Sequence, residues 1–496
     1  MLGFFSNKNE HPLADAKEAK RIFGELGLRE PLGAVEEASG WLESIPAEAG
    51  FKPPQRLELI LRLDEAIAAQ ARRLARDYQP LTQASRTVEA KHWELSHGYW
   101  NLLVAAYMDC FRRLRAGEKD AEPIRAQLQL LCGRLINAQA TELKWRQFHY
   151  GPVDGATWKI LGDAYLAAVE ARLHQRGFEL YPGAGETTVE AEYLKALIFH
   201  ASAMDNLKPL QIELAERFIG YFLPFFGLAR ELQPESVYWV DAAKGLPPTR
   251  LAKKPEVTTT LCFFSGTRAV TAVNTTLEQI RNEKRVPPGI NLGAQYEPQH
   301  AIPVLEHLAL NWSPKPPLRS TARRRINSSL RLVSGLGAVH RRLSGRAVNG
   351  EGVESWIVDD VSLGGMGAHA VQARRDWIRI GAMVAMQPDG GDNWLVGVVR
   401  RYVRTGPNED SIGIETISRA PRAVLAYAGC IYTEALLLDV PVVGEYARMA
   451  LAPNALEENV ALLFKVDEKN ARLHPREVLA NGSDFIVANF FVQSYS

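Results

Sequence analysis

The sequence predicts a multidomain α+β protein whose first half is helical and whose last third is built from short antiparallel strands. Three observations carry this. Residues from about 12 to 230 repeat apolar side chains every three or four positions. Residues beyond about 320 break into β-branched runs separated by Gly, Pro, Asn and Asp. Between the two styles lies "SPKPPLRST", a stiff proline-rich boundary. At 496 residues the chain is long enough for several hydrophobic cores.

In "LELILRLDEAIAAQARRLARDY", Leu59, Leu63, Ile67, Ala71, Leu74 and Tyr78 form one apolar stripe. Similar patterns predict helices near 86–117, 122–148, 155–176, 188–204 and 207–227, with Pro53, Pro123 and Pro209 near helix starts. No repeat near 34 residues is evident, so 1–232 reads as one irregular helical domain. Residues 233–312 read as a small mixed α/β module. "SVYWVD" and "VTTTLCFF" are strand-like, and "AVTAVNTTLEQIRNEK" and "QHAIPVLEHLALNW" are helix-like. In 313–425, "SSLRLVSG", "SWIVDD", "GAHAV", "MVAMQ", "WLVGVVRRYV" and "SIGIETI" suggest a small antiparallel barrel. Residues 426–496 continue as a β-rich extension, with "ARMALAP", "NVALLFKV", "ARLHPREVL" and "DFIVANFFV".

Composition excludes more than it assigns. The formal net charge is +1, so no global field steers the chain toward nucleic acid or membrane. Cys110, Cys132, Cys262 and Cys430 form no CxxC and read as free buried thiols. "FIGYFLPFFGLA" is too short to span a bilayer and contains Pro224, and the first twenty residues lack a signal-length apolar core. The expectation is a cytoplasmic protein without membrane insertion. No phosphate-loop, HExxH, GxSxG or dinucleotide fingerprint is present, so no enzyme, cofactor or metal site is expected. His92 and His97, five apart, do not share a helical face, and Glu297 and Glu306 complete no metal face with His300 and His307; all four read as surface or satisfied core residues. Glu192, Glu213 and Glu216 read as a solvated helix face. Trp356, Trp377 and Trp394 alternate with apolar strand positions. Core packing therefore outweighs a base-stacking platform for nucleic acid.

Two local features point to a ligand. Between His307 and Gly350 there is no acidic residue, one lysine and eight arginines, with Arg319, Arg323, Arg324 and Arg325 clustered before the first barrel strand. The planar guanidinium fork suits phosphate or a guanine edge, while a solvated basic linker is the plainer reading. The second feature is Asp360-Val-Ser362-Leu-Gly364-Gly365. An Asp beside a Ser can accept hydrogen bonds from guanine N–H groups, and glycines let the backbone turn closely. A simple hairpin turn is again the plainer reading.

Together the two features resemble the PilZ family. Arg319-Ser-Thr-Ala-Arg323 fits RxxxR, and Asp360-Val-Ser362-Leu-Gly364-Gly365 fits [DN]xSxxG, in the family's order. The resemblance covers roughly 316–425 and implies a six-stranded antiparallel barrel that binds cyclic di-GMP. It implies that Arg319 and Arg323 contact phosphates and guanine edges, that Asp360 and Ser362 hold a guanine, and that Gly365 permits the turn. Arg325-Ile-Asn fits the second arginine's position as well, which would put Thr321 at the first. The basic segment "GLGAVHRRLSGRAVNGEG" makes an unusual first hairpin, and the extension lies outside a minimal PilZ domain. The expected function is a second-messenger receptor, with no chemistry of its own, that relays binding to a protein partner through the helical domain. The expected mechanism is ordering of the arm 319–325 against the loop 360–365. The alternatives are a PilZ-like adaptor that binds no nucleotide and a nucleic-acid module using the same arginines.

Overall fold

The computed structural model describes residues 11–494 except 85, 294–295, 316–321, 349, 351, 372, 374–376, 407, 429–430, 457–459 and 467–468. The chain forms two compact units. One gathers residues 1–149, 153–204 and 209–317; the other gathers 150–152, 205–208 and 318–496.

The first unit is helical. Its helices are α1 (Ala16–Leu28), α2 (Pro31–Ala47), α3 (Pro53–Ala84), α4 (Arg86–Arg115), α5 (Leu128–Phe148), α6 (Gly155–Glu170), α7 (Val189–Ala201) and α8 (Pro209–Phe222). The stripe read from the sequence on α3 is buried throughout, from Leu59 to Tyr78. Asp15, Asp154 and Thr188 cap α1, α6 and α7 by accepting first-turn N–H groups. Pro53 and Pro209 open α3 and α8 as expected. Pro123 does not open α5; it lies inside a 3-10 helix, Lys119–Gln127, that delays the α-helix to Leu128.

Helix α5 packs against α4, α6, α7 and α8, so it is buried on nearly every side. Its buried charges are therefore paired across helices. Arg134 Nη1 donates to Asp64 at 2.7 Å and Nη2 to Glu65 at 2.7 Å. Lys144 Nζ donates to Glu213 at 3.0 Å and Glu216 at 2.5 Å. This corrects the expectation of a solvated carboxylate face: Glu192 and Glu213 are buried, each held by cationic or hydroxyl donors. Glu216 alone of the three stays substantially exposed.

A short hairpin, β1 (Phe178–Glu179) with β2 (Glu186–Thr187), precedes α7. The rest of this unit is a four-stranded antiparallel sheet of β3 (Leu228–Ala229), β4 (Tyr238–Asp241), β5 (Thr249–Arg250) and β6 (Leu261–Phe264), in order β3-β6-β4-β5. Two helices follow it, α9 (Thr267–Glu283) and α10 (Pro298–Trp312).

The second unit holds two closed six-stranded antiparallel barrels. The first comprises β7 (Arg324–Ser334), β8 (Glu354–Ser362), β9 (Gly365–Val371), β10 (Met383–Pro388), β11 (Leu395–Arg404) and β12 (Glu409–Ser418), closed in order β10-β11-β12-β9-β8-β7. Leu330, Leu332, Trp356, Val358, Met366, Val384, Met386 and Ile414 fill it, together with Tyr150. Trp377 stacks on Trp356 at 5.5 Å, so these indoles pack the core as expected.

The β-rich extension is itself a barrel, made of β13 (Arg422–Ala428), β14 (Ile431–Leu437), β15 (Tyr446–Leu451), β16 (Leu462–Val466), β17 (Lys469–Asn481) and β18 (Ile486–Ser494). The two barrels share a third core. Met383 and Ala385 of β10 and Val396 and Val398 of β11 pack with Leu436, Ala450, Phe485 and Val487. Strand β10 is thus buried on both faces, which explains its unbroken apolar run. The basic segment after β7 is not a plain hairpin. Leu336–Leu343 forms α11, whose Leu336, Val339 and His340 are buried at helical spacing beside that shared core. Among the described residues, no helix is long and apolar enough to cross a membrane.

Candidate functional site

Asp360 sits near the end of β8, where a bulge between Val358 and Asp360 shifts the register so that Asp360 faces Gly367 of β9. One carboxylate oxygen, Oδ1, accepts twice. Arg323 Nη1 donates to it at 2.5 Å and the Gly367 backbone N–H at 3.1 Å. No donor engages Oδ2 among the described residues. A Cβ on Gly367 would lie 2.9 Å from Asp360 Oδ1 and 3.3 Å from Arg323 Nη1. Gly367 therefore keeps this corner open, a role sequence reading missed although the glycine follows the motif by two residues.

Arg323 immediately precedes β7, and Arg324 and Arg325 are its first two residues, opposite Val361 and Asp360. A second register shift follows between Arg325 and Ser328. Of Arg323 and Arg325, the two arginines that fit the motif's second position, Arg323 is the one whose side chain meets Asp360. The side chains of Arg324 and Arg325 are exposed and make no ion pair or hydrogen bond among the described residues. Arg319 lies outside the described residues. The side chains of Arg323 and Asp360 are 31% and 29% exposed, so water screens their pair. Such a pair contributes roughly 0–1 kcal/mol and opens at little cost.

The other motif residues build the turn between β8 and β9. Ser362 Oγ donates to the Gly365 carbonyl at 3.1 Å, and the Thr416 N–H donates to the Gly364 carbonyl at 3.0 Å. A Cβ on Gly365 would lie 2.1 Å from the Ile414 carbonyl oxygen, so β9 can approach β12 only with glycine there. Gly364 has no such neighbour. The tip of the turn presents Leu363, 67% exposed. The fold thus brings Arg323, Asp360 and the start of β7 together. It leaves one carboxylate oxygen for an N–H donor and two arginines for an anion.

Elsewhere the titratable groups are occupied structurally. His92 bonds the Leu74 carbonyl, His97 meets Glu142 at 2.9 Å, His300 completes a capping box with Glu297, and His307 bonds the Ser202 carbonyl. Cys110, Cys132 and Cys262 are free and buried, and burial pushes the Cys110 and Cys132 thiols up to about 12. Cys430 lies outside the described residues. No cluster of three metal-ligating side chains occurs among the described residues.

No curated protein matches the chain. Residues 17–232, from the first turn of α1 to beyond β3, match the family model described as the N-terminal domain of the cyclic-di-GMP receptor FimW.

Proposed function

We propose that this protein is a receptor for cyclic di-GMP. Its first barrel, PilZ-like in motif order and strand number, would take the nucleotide, and the helical domain would pass the event to a protein partner. One observation carries the reading. Arg323 and Asp360, 37 residues apart in sequence, meet at an exposed corner beside two unengaged arginines. The match of residues 17–232 to a cyclic-di-GMP receptor's N-terminal domain supports it from the other half of the chain.

The chemistry follows from the donor set. The unengaged oxygen of Asp360 accepts the N1–H or N2–H of a guanine. Arg323, released from a weak surface pair, turns to a phosphate or to the O6/N7 edge. Arg324 and Arg325, with Arg319 of the arm, offset the two phosphate charges. Ser362, Gly364 and Gly365 build the turn beside Asp360. Nothing in this scheme breaks a bond, so the protein binds and relays.

The test is isothermal titration of the full chain with cyclic di-GMP, with GTP as control. Arg323→Ala and Asp360→Ala should each weaken binding about tenfold or more, each lost charged hydrogen bond being worth about 1.5–3 kcal/mol. A second reading has one observation in its favour. Asp360 Oδ1 is already satisfied within the protein, as in an adaptor whose barrel binds no nucleotide. Absence of heat in the wild type at high protein concentration favours the adaptor. Tighter binding of single-stranded oligonucleotide by Asp360→Ala would instead favour nucleic acid.

A further inference from the structure

The helical unit contains a cleft of about 580 Å³ bounded by α3, α4, α5 and α8, in the size range of small-molecule sites. Its inner charges cancel. Lys144 bonds Glu213 and Glu216, and Arg217 Nη2 bonds Glu213 at 2.9 Å, so two cations meet two carboxylates. The surplus lies in Arg72 and Arg76, which line the same cleft one helical turn apart on α3. Both are exposed, and neither side chain has a partner among the described residues. Other arginines of α3 do: Arg73 pairs with Asp77 at 3.4 Å and Arg62 with Glu58 at 3.9 Å. No acid stands three or four positions from Arg72 or Arg76 in "AAQARRLARDYQ", and like charges at that spacing destabilise a helix.

Trp145 lies in the inner wall of the cleft and is 1% exposed. Two guanidinium groups with no partner among the described residues call for an anion whose oxygens accept from them. Trp100 and the alanines of α3 (Ala68, Ala69, Ala71 and Ala75) give the cleft an apolar slot for a ring. We infer that this cleft binds a small organic anion carrying an aromatic ring, such as an aryl or nucleoside phosphate monoester. Arg72 and Arg76 hold the phosphate and the slot takes the ring. This site is separate from the one proposed on the barrel, and it would make the helical domain a sensor in its own right.

The probe is phenyl phosphate, titrated into the full chain and followed by tryptophan fluorescence and calorimetry, with phenol as the neutral control. Saturable binding that weakens with salt and falls about tenfold or more in Arg72→Gln/Arg76→Gln is expected. Cyclic di-GMP heats should be unchanged in that variant. Arg72 and Arg76 are exposed, so the double variant should melt with the wild type, and that is checked first. The inference is overturned if phenyl phosphate does not saturate by about 10 mM or if phenol binds equally. It is also overturned if the loss follows Arg323→Ala rather than the α3 pair. The last outcome places the anion on the barrel and leaves the barrel reading standing.

Discussion

Asp360 and Gly365 lie five residues apart in one motif and answer to different demands. Gly365 answers to packing, because a Cβ there would meet the backbone oxygen of Ile414 at 2.1 Å. Gly365→Ala should therefore destabilise the barrel by about 2 kcal/mol or more, read as a lower urea midpoint, since backbone cannot yield as a side chain does. Gly364→Ala, with open space around its Cβ, should stay within about 0.5 kcal/mol. Equal losses at both glycines would mean that the turn as a whole, not the approach of β12, demands them. Asp360 answers to its hydrogen-bond partners. Asp360→Asn keeps an oxygen for the Gly367 N–H and loses only the screened pair with Arg323. Stability should change by less than about 1 kcal/mol, while cyclic di-GMP affinity under the proposed function falls about tenfold. Arg323 and Asp360 were singled out in the sequence by the motif pair that resembles PilZ, and the structure brings their side chains together. Gly367 was not, because its role exists only after the bulge at Val358–Asp360 sets the register.

At the scale of elements, periodicity found what was amphipathic and missed what was buried on all sides. The α3 stripe was readable. The burial of Glu213 was not, because one helix's sequence does not say that Lys144, 69 residues away, will meet it. Helix α11 was missed because its basic segment read as an unusual hairpin, although Leu336, Val339 and His340 already keep helical spacing. The Lys144 cluster has a pH signature. Burial pushes the Glu213 carboxyl up, but Lys144 and Arg217 more than offset it and hold it below the usual carboxylate range. Burial pushes the Lys144 amine down, and Glu213 and Glu216 raise it well above its ordinary value. A carboxylate lowered on folding adds stability in full above its unfolded pKa, about 4.3. That stability is lost as pH falls through the lower folded value. An amine raised on folding adds stability in full below about 10.4, lost as pH rises through its higher folded value. Lys144→Ala should cost about 3–5 kcal/mol by leaving buried carboxylates under-paired. It should also move the acid loss of helical circular dichroism to higher pH. An unmoved acid midpoint would show that Arg217 alone holds Glu213 ionised.

Order along the chain gives no sign that 150–152 and 205–208 join the barrel unit, yet that unit depends on them. Tyr150 follows α5 by two residues and turns with a positive φ of 53°. Its ring is buried in the first barrel's core, 5.1 Å from that of Tyr402. Its carbonyl accepts the Arg404 N–H at 2.8 Å, and its hydroxyl donates to the Leu207 carbonyl at 2.9 Å. Asp205 pairs with Arg401 at 2.6 Å. Segments covalently continuous with α5 to α8 thus complete a β-barrel more than a hundred residues downstream. A fragment beginning at 318 would lack the tyrosine, expose a hole in the core and leave the Arg404 N–H unpaired. Loss of a buried aromatic side chain costs about 3–5 kcal/mol. Tyr150→Ala in the full chain should lower the barrels' protection against hydrogen exchange, most along β11, by about that amount. The isolated 318–496 fragment should melt lower than the same strands in the whole protein. If the fragment were as stable as the barrels of the full chain, Tyr150 would be a passenger of the core. A barrel that stands only with those segments in place has its stability tied, through the chain itself, to the helical domain.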